Sequence, residues 1–556
     1  VNARTAYDYV IVGAGSAGCV IAGRLTEDPA VRVLLIEAGG WDRDPWIRIP
    51  IGWGRIMTRR LHDWGYDAEP EPALNDRVIE CMRGKVVGGS SSINAMAYVR
   101  GHRRDYDRWA EGGLPGFAYE KVLPYFKRQE RWEGGESTYR GGSGPLSTTA
   151  SRYADPLSAA CLVAATDAGH RLTDDYNGAE QEGFGILQST IRKGRRCSAA
   201  DAYLRPALGR PGLEIVTRAA VTGLGFDGDR ATRVDYVRGG RRLSATADRE
   251  IILCAGAINS PQILMLAGIG DPEHLARHDI PVRAALPGVG RNLQDHASVA
   301  IEYRRKGSGP FVRNMRADRL LPRLADAYLR GKGFATDLPS GWTAFLRSSF
   351  ATDRPDIQLI FRAVPMRAAP WFPLIREPFE DGFAVRAVLV CPESRGHVAL
   401  RSADPAAPVR IFQNHLSAGQ DRAALREGLR IIRDFASRAS LAPFIAAESA
   451  PGAHAASDAA LDDHISTFAA TAHHPVGTCR MGSGNDRDLV LDSEFRVRGV
   501  RQLRVVDASV FPDIVNGNVN APVMMLAEMA ADLIRRITPP DRIALPDEPS
   551  ERSATI

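Results

Sequence analysis

Residues 7–18 read YDYVIVGAGSAG, a short apolar run closed by glycines at 13, 15 and 18. The run predicts a strand, and the glycines predict a tight turn into a helix, because glycine adopts backbone angles that side chains forbid. A small-residue segment reaching Thr26 continues as that helix. A second apolar run, Val31 to Ile36 (VRVLLI), then ends in Glu37. Strand, glycine turn, helix, strand and terminal acid form a dinucleotide-binding unit. The glycines let a pyrophosphate approach the backbone at the helix N-terminus, and Glu37 is placed to hydrogen-bond a ribose hydroxyl. This unit leaves NAD and FAD equally open.

Outward from it, strands of the same texture recur at Glu250 to Ala255 (EIILCA) and Gln502 to Val506, so the nucleotide domain is discontinuous. Between 300 and 471 the texture changes to alternating strands, among them 356–361, 383–390, 396–401 and 409–412. An amphipathic helix over 421–436 follows. This predicts an antiparallel sheet backed by helices. The expected fold class is therefore α/β: a Rossmann-type domain from 1–150, 191–298 and 486–540, and a substrate domain from 151–190 and 299–485. A Pro-rich charged tail, 541–556, is expected to fray.

The totals fit this reading. A chain of 556 residues exceeds what one core organises, and 44% hydrophobic with 25% charged residues is globular. The 71 basic and 66 acidic residues nearly balance, with Arg scattered rather than clustered, which argues against a nucleic-acid partner. The seven dispersed Cys show no zinc-site spacing, and no metal is expected; together with the lack of a visible signal segment before Val10 they suggest a cytoplasmic protein with reduced thiols. Polar residues interrupt both of the longest apolar stretches, so no transmembrane segment is predicted.

Four further blocks carry chemistry. Gly84 to Gly101 (GKVVGGSSSINAMAYVRG) combines a Gly pair, three serines and Asn94 with interleaved apolar residues, which suits a backbone-lined ligand loop; an ordinary structural loop is the alternative. In Gly256 to Gly270, Ser260 reads as an N-cap, Pro261 as the first helical residue and Gly268 as the stop. The segment Ala472 to Gly482 (AHHPVGTCRMG) holds adjacent His473 and His474, which on an extended backbone would point to opposite sides, so that one is functional and the other structural. Last, Asp507-Ala508-Ser509 and then Asn516 to Pro522 (NGNVNAP) lead into a helix over 523–534, as a capping signal or a site for negative charge.

In this order the five blocks resemble the glucose-methanol-choline (GMC) family of FAD-dependent oxidoreductases over nearly the whole chain. The resemblance implies FAD rather than NAD. The expected contacts are Gly13, Gly15, Ser16, Ala17 and Gly18 in the first turn, with Glu37 and Ala38 after the second strand. The serine-rich loop adds Gly84, Val87, Gly88, Ser91, Asn94, Ala95, Met96 and Ala97. Val221, Ala255, Gly256, Asp507, Ala508 and Asn518 complete the set. The resemblance places His474 near flavin N5 as the base and Asn520 as the second polar residue on the substrate oxygen, with hydride passing from the alcohol carbon to the flavin. Some members attach FAD through a His just before the Asn of the second block; here that position is Ile93, so non-covalent FAD is expected. The implied activity is dehydrogenation of a small-molecule primary alcohol to an aldehyde, with a non-oxygen electron acceptor. An oxygen-using oxidase and an FAD-containing hydroxynitrile lyase are the alternatives. The stretch leading to Phe345 has no Glu to pair a quaternary ammonium, which favours a neutral alcohol over choline. Segments 40–58, 333–346 and 364–374, with Trp41, Trp46, Trp53, Trp342, Trp371 and Phe372, offer either an aromatic pocket lining or plain packing.

Overall fold

The computed structural model describes residues 6–543 and Leu545, so most of the expected tail, 544 and 546–556, lies outside the described residues. The chain opens with β1 (Ala6–Val12), α1 (Ser16–Leu25) and β2 (Val33–Glu37). A long excursion then contributes β3 (Gly183–Ile186) to a distant sheet. The chain returns with β4 (Leu213–Thr217), β5 (Ala219–Asp227), β6 (Arg230–Arg238) and β7 (Arg241–Leu253), followed by α2 (Gly256–Leu266). The second sheet is built from β8 (Ala297–Arg305), β9 (Trp342–Leu346), β10 (Ile357–Arg362) and β11 (Gly382–Leu389). Helix α3 (Gly419–Ala436), β12 (Ile445–Ala450) and β13 (Ala470–Thr471) complete it, and β14 (Leu503–Val505) with α4 (Asn520–Arg535) rejoins the first sheet.

The first sheet runs β5-β6-β7-β1-β2-β4, with β14 on the far side of β7. Its β14, β7, β1, β2 and β4 are mutually parallel, and residues 251–253 bond to both 10–12 and 503–505. This is the Rossmann-type sheet expected, with strands at 6–12, 33–37, 241–253 and 503–505. Burial explains it: Val10, Ile11, Val33, Leu35, Ile251, Ile252 and Val505 are inaccessible, and helices α1 and α4 cover them with Val20, Ile21, Met524 and Met525.

The second sheet, β12-β8-β11-β10-β9-β3 with β13 on β8, is antiparallel throughout. Period-two alternation gives it unlike faces. Val299, Ile301, Leu359, Phe361, Val385 and Ala387 pack under Leu425, Leu429, Ile432 and Phe435 of α3. Ala300, Glu302, Ile360, Arg362, Ala384 and Arg386 lie on the other face, toward the first sheet. Residues 66–81, inside the stretch assigned by sequence to the nucleotide domain, contribute Tyr66, Leu74 and Ile79 to this second core.

Two local readings are corrected. Helix α2 begins at Gly256, with Ala255 rather than Ser260 at its N-cap, and Pro261 sits inside the helix. Proline there removes the donor for the Ala257 carbonyl. That carbonyl instead accepts from Thr478 Oγ1 at 2.6 Å, while Ser260 Oγ donates to Asp507 at 2.6 Å. No helix among the described residues is long and apolar enough to cross a membrane. All seven cysteines are free.

Candidate active site

A cavity of about 1150 Å³ lies between the two sheets, and all five sequence blocks reach it. It is larger than the roughly 300–1,000 Å³ usual for a small-molecule site, which leaves room for an extended cofactor and a substrate. At one end stand Gly13, Gly15, Ser16 and Glu37; at the other, His473, His474 and the mixed face of the second sheet.

The first end is a nucleotide cradle. Gly13 has φ +100°, and a Cβ there would come within 2.5 Å of the Cys254 carbonyl; a Cβ on Gly18 would sit 1.9 Å from the Gly13 oxygen. These two glycines let strand, turn and helix close up, while Gly15 opens to the cavity. Buried Glu37 accepts from the backbone N–H of Ala14 at 2.9 Å and of Gly39 at 2.8 Å. Burial pushes its carboxyl up to about 7, opposed by those two N–H groups and by Lys85. Helices α1 and α4 both start at the cavity without a side-chain cap, and Ser16 Oγ at the head of one donates to Asn520 Oδ1 at the head of the other at 2.8 Å. Two adjacent positive helix ends suit a pyrophosphate and a ring that gains negative charge. The residues present therefore fit FAD.

Of the expected cofactor residues, Gly13, Gly15, Ser16, Ala17, Glu37, Ala38, Gly84, Asn94, Ala95, Met96, Ala97, Val221, Ala255, Gly256, Asp507, Ala508 and Asn518 border the cavity. Gly18, Val87, Gly88 and Ser91 do not. Gly18 packs on the turn, Val87 is in the core, Gly88 takes φ +90° under Ser92, and Ser91 Oγ donates to the Gly88 carbonyl at 2.6 Å. Gly89 and Ser90 face the cavity in their place.

At the reactive end His474 is buried and clamped. Its backbone N–H donates to Asp295 at 2.8 Å; Thr471 Oγ1 donates to the same carboxylate and accepts from His473 N at 2.7 Å. His474 Nδ1 lies 3.0 Å from His296 Nδ1, and His474 Nε2 lies 2.9 Å from Asn518 Nδ2. An amide nitrogen only donates, so Nε2 holds a lone pair and Nδ1 carries the hydrogen, given to His296. Burial holds the His474 pKa well below its usual value, and His296, Arg83, His473 and Arg386 add to the effect. Burial likewise takes His296 down to about 3.

Three expectations change here. Asn518, not Asn520, stands against His474. Asn520 is the first residue of α4, which turns its side chain to Ser16 and, at 3.8 Å, to Met524 Sδ. The two histidines do not diverge, because His473 has φ 65° rather than an extended backbone, and both border the cavity. Of the six aromatic residues left open between lining and packing, Trp53 alone reaches the cavity; Trp342 is stacked on Phe361 in the second core, and Trp371 donates to the Val312 carbonyl. Trp64 and Tyr66 line it instead. His296 was missed because a lone His before a strand carries no spacing signal. Arg83 and Arg386 were missed because scattered arginines read as surface.

Models of the N- and C-terminal parts of GMC oxidoreductases match residues 7–298 and 392–527. The chain belongs to the GMC oxidoreductase family. Oxygen-dependent choline dehydrogenase of Brucella anthropi is 42% identical over 536 residues, covering 96% of each chain. Pyridoxine 4-oxidase from Mesorbium loti superposes with TM-score 0.84 at 31% identity, over 96% of this chain and 100% of the other. A formate oxidase variant from Aspergillus oryzae, studied for its FAD modification, gives TM-score 0.89 at 27% identity, over 96% and 99%. As a GMC oxidoreductase the protein is an enzyme acting on CH–OH donors, with FAD as cofactor.

Proposed function

We propose that this enzyme oxidises a primary alcohol to the aldehyde, with His474 as the base and Asn518 as its partner on the substrate oxygen. The observation that carries the reading is His474 on the cavity wall, its Nε2 lone pair met by the amide of Asn518, which borders the same cavity, while Nδ1 is committed to His296. A base held neutral by burial accepts the hydroxyl proton at ordinary pH, and the amide N–H steadies the oxygen as alkoxide character develops. Asp295 and His296 keep the imidazole in one orientation and one tautomer. When bound, FAD supplies the hydride acceptor. Glu37, the head of α1 and the head of α4 are the groups that would hold it.

His474→Ala should lower kcat by about 10²- to 10⁴-fold while the flavin-to-protein ratio stays that of the wild type. Loss of FAD with unchanged turnover per holoenzyme would defeat the assignment. Electrons pass to an acceptor other than oxygen in this reading. The oxygen-dependent name of the Brucella relative and the oxidase activity of two structural neighbours favour a second reading, in which oxygen is the acceptor. Peroxide formed in step with aldehyde selects the oxidase; turnover only with an added dye selects the dehydrogenase.

A further inference from the structure

Arg386 projects from the middle of β11 on the cavity face of the second sheet. Across the ladder it faces Ala300 on β8 and Ile360 on β10, neither able to pair with a guanidinium. Arg386 lines the cavity, and among the described residues its side chain makes no ion pair or hydrogen bond. One register step away, Arg362 and Glu302 flank Ala384 and approach to 3.5 Å, so that carboxylate is already taken. Glu80, the acid whose charge bears on Arg386, forms no ion pair with it and lies 3.9 Å from His473 instead. Beside His474 the other cation, Arg83, donates to the carbonyls of Met82 and His473 rather than to a carboxylate.

Arg386 is thus half-buried on the cavity wall with no acid in ion-pair contact, and a guanidinium so placed gains most from a ligand that supplies the counter-charge. Its planar fork matches a carboxylate through two parallel hydrogen bonds. The register also puts Arg386 near the reacting end. Ala300 is two residues along β8 from Ser298, whose other neighbour, Ala470, opens the short strand leading to His474. A quaternary ammonium brought to His474 would instead meet the like charges of Arg83 and Arg386, with Glu80 and Glu302 as the acids on the same cavity wall and Glu302 already paired with Arg362.

Resting on the alcohol-oxidation reading above, we propose that the natural substrate is an alcohol bearing a carboxylate, which Arg386 binds while the hydroxymethyl end faces His474. The site thus selects hydroxy acids over neutral alcohols and over choline. The ion pair between Arg362 and Glu302 keeps a second carboxylate from competing for Arg386.

The test compares 4-(hydroxymethyl)benzoate and 6-hydroxyhexanoate with their neutral amides and with choline, in the FAD-loaded wild type, Arg386→Gln and Arg386→Lys. In the wild type at least one acid should exceed its amide in kcat/KM by about 10- to 100-fold, the range of a charge-assisted hydrogen bond, and should exceed choline. Arg386→Gln should bring the acid-over-amide ratio to about one, and Arg386→Lys should restore part of it. Benzoate, which cannot be oxidised, should bind the wild-type holoenzyme about 10- to 100-fold more tightly than Arg386→Gln in calorimetric titration. A wild type that prefers choline or the amides, or benzoate affinity unmoved by Arg386→Gln, overturns the proposal. If no alcohol bleaches the flavin anaerobically, the alcohol-oxidation reading fails, and the benzoate titration alone decides the anion site.

Discussion

His474 and His296 meet through their Nδ1 atoms, so one proton serves both, and the lone pair of His474 is left on Nε2, where the Asn518 amide meets it. Because burial holds the His474 pKa well below 6.5, its base form persists as pH falls. The kcat/KM profile should therefore show no acid-side inflection near 6.5, and a pH-rate series from 5 to 8 checks this; a tenfold loss per unit below 6.5 would contradict it. The two asparagines should separate by phenotype. Asn518→Ala removes the amide beside Nε2 and should lower kcat by about 10²- to 10³-fold with FAD retained. Asn520→Ala breaks the link between the heads of α1 and α4, so it should lower flavin occupancy and leave turnover per bound flavin nearly intact. The sequence singled out His474 but not the groups that orient it. His474 sits in a recognisable string, whereas His296 joins it from 178 residues away and only the fold shows the pairing. Asn520 misled because it stands two residues before Pro522 at a helix start. As the first helical residue it turns to Ser16 and Met524, while Asn518, two residues earlier and outside the helix, meets His474.

Strands were more legible than helix ends. Continuous apolar runs such as 7–12 and 251–253 have no stable place except a sheet covered on both faces, so they declared themselves. Helix α2 did not, because Pro261 imitates a first helical residue. What makes an interior proline tolerable is Thr478, more than two hundred residues later, donating to the stranded Ala257 carbonyl. Thr478→Val keeps the shape and removes that donor, and both groups are buried. The change should destabilise the protein by about 1–3 kcal/mol, seen as a lower Tm. A Tm unchanged from the wild type would mean that the carbonyl finds another donor. The serine-rich loop bears on how the flavin is held. Its Ile93 is buried with Ile47, Ile56, Met82 and Val86, an apolar cluster with no nucleophile to attach a flavin. After denaturation and filtration, the yellow colour should pass into the filtrate. Retention with the protein would mean a covalent link formed elsewhere.

Across the whole molecule, the cavity exists because the mixed face of the second sheet is set against the nucleotide-domain segments by stretches distant in sequence. Residues 66–81 tie the second core to the first third of the chain. The same burial that tunes the site leaves opposed marks on acid stability. His296 is pushed down to about 3, so between pH 6.5 and 5 the unfolded chain binds a proton that the folded one refuses, and stability falls as pH falls. Glu37 is pushed up to about 7, so between pH 7 and 4.5 the folded chain takes up a proton that the unfolded one lacks, and stability rises as pH falls. The net wild-type slope mixes these with the other carboxylates, but differences between variants isolate them. His296→Gln should lose Tm at pH 7, where a buried hydrogen bond is broken, yet fall less than the wild type between pH 7 and 5. Its stability deficit should shrink by up to about 1.4 kcal/mol per pH unit below 6.5. Glu37→Gln should do the reverse and fall more steeply than the wild type over the same interval. Thermal unfolding of the three proteins at pH 7 and pH 5 makes the comparison. Parallel losses in all three would show that neither group titrates differently on folding, and would remove the support that burial gives to a neutral His474.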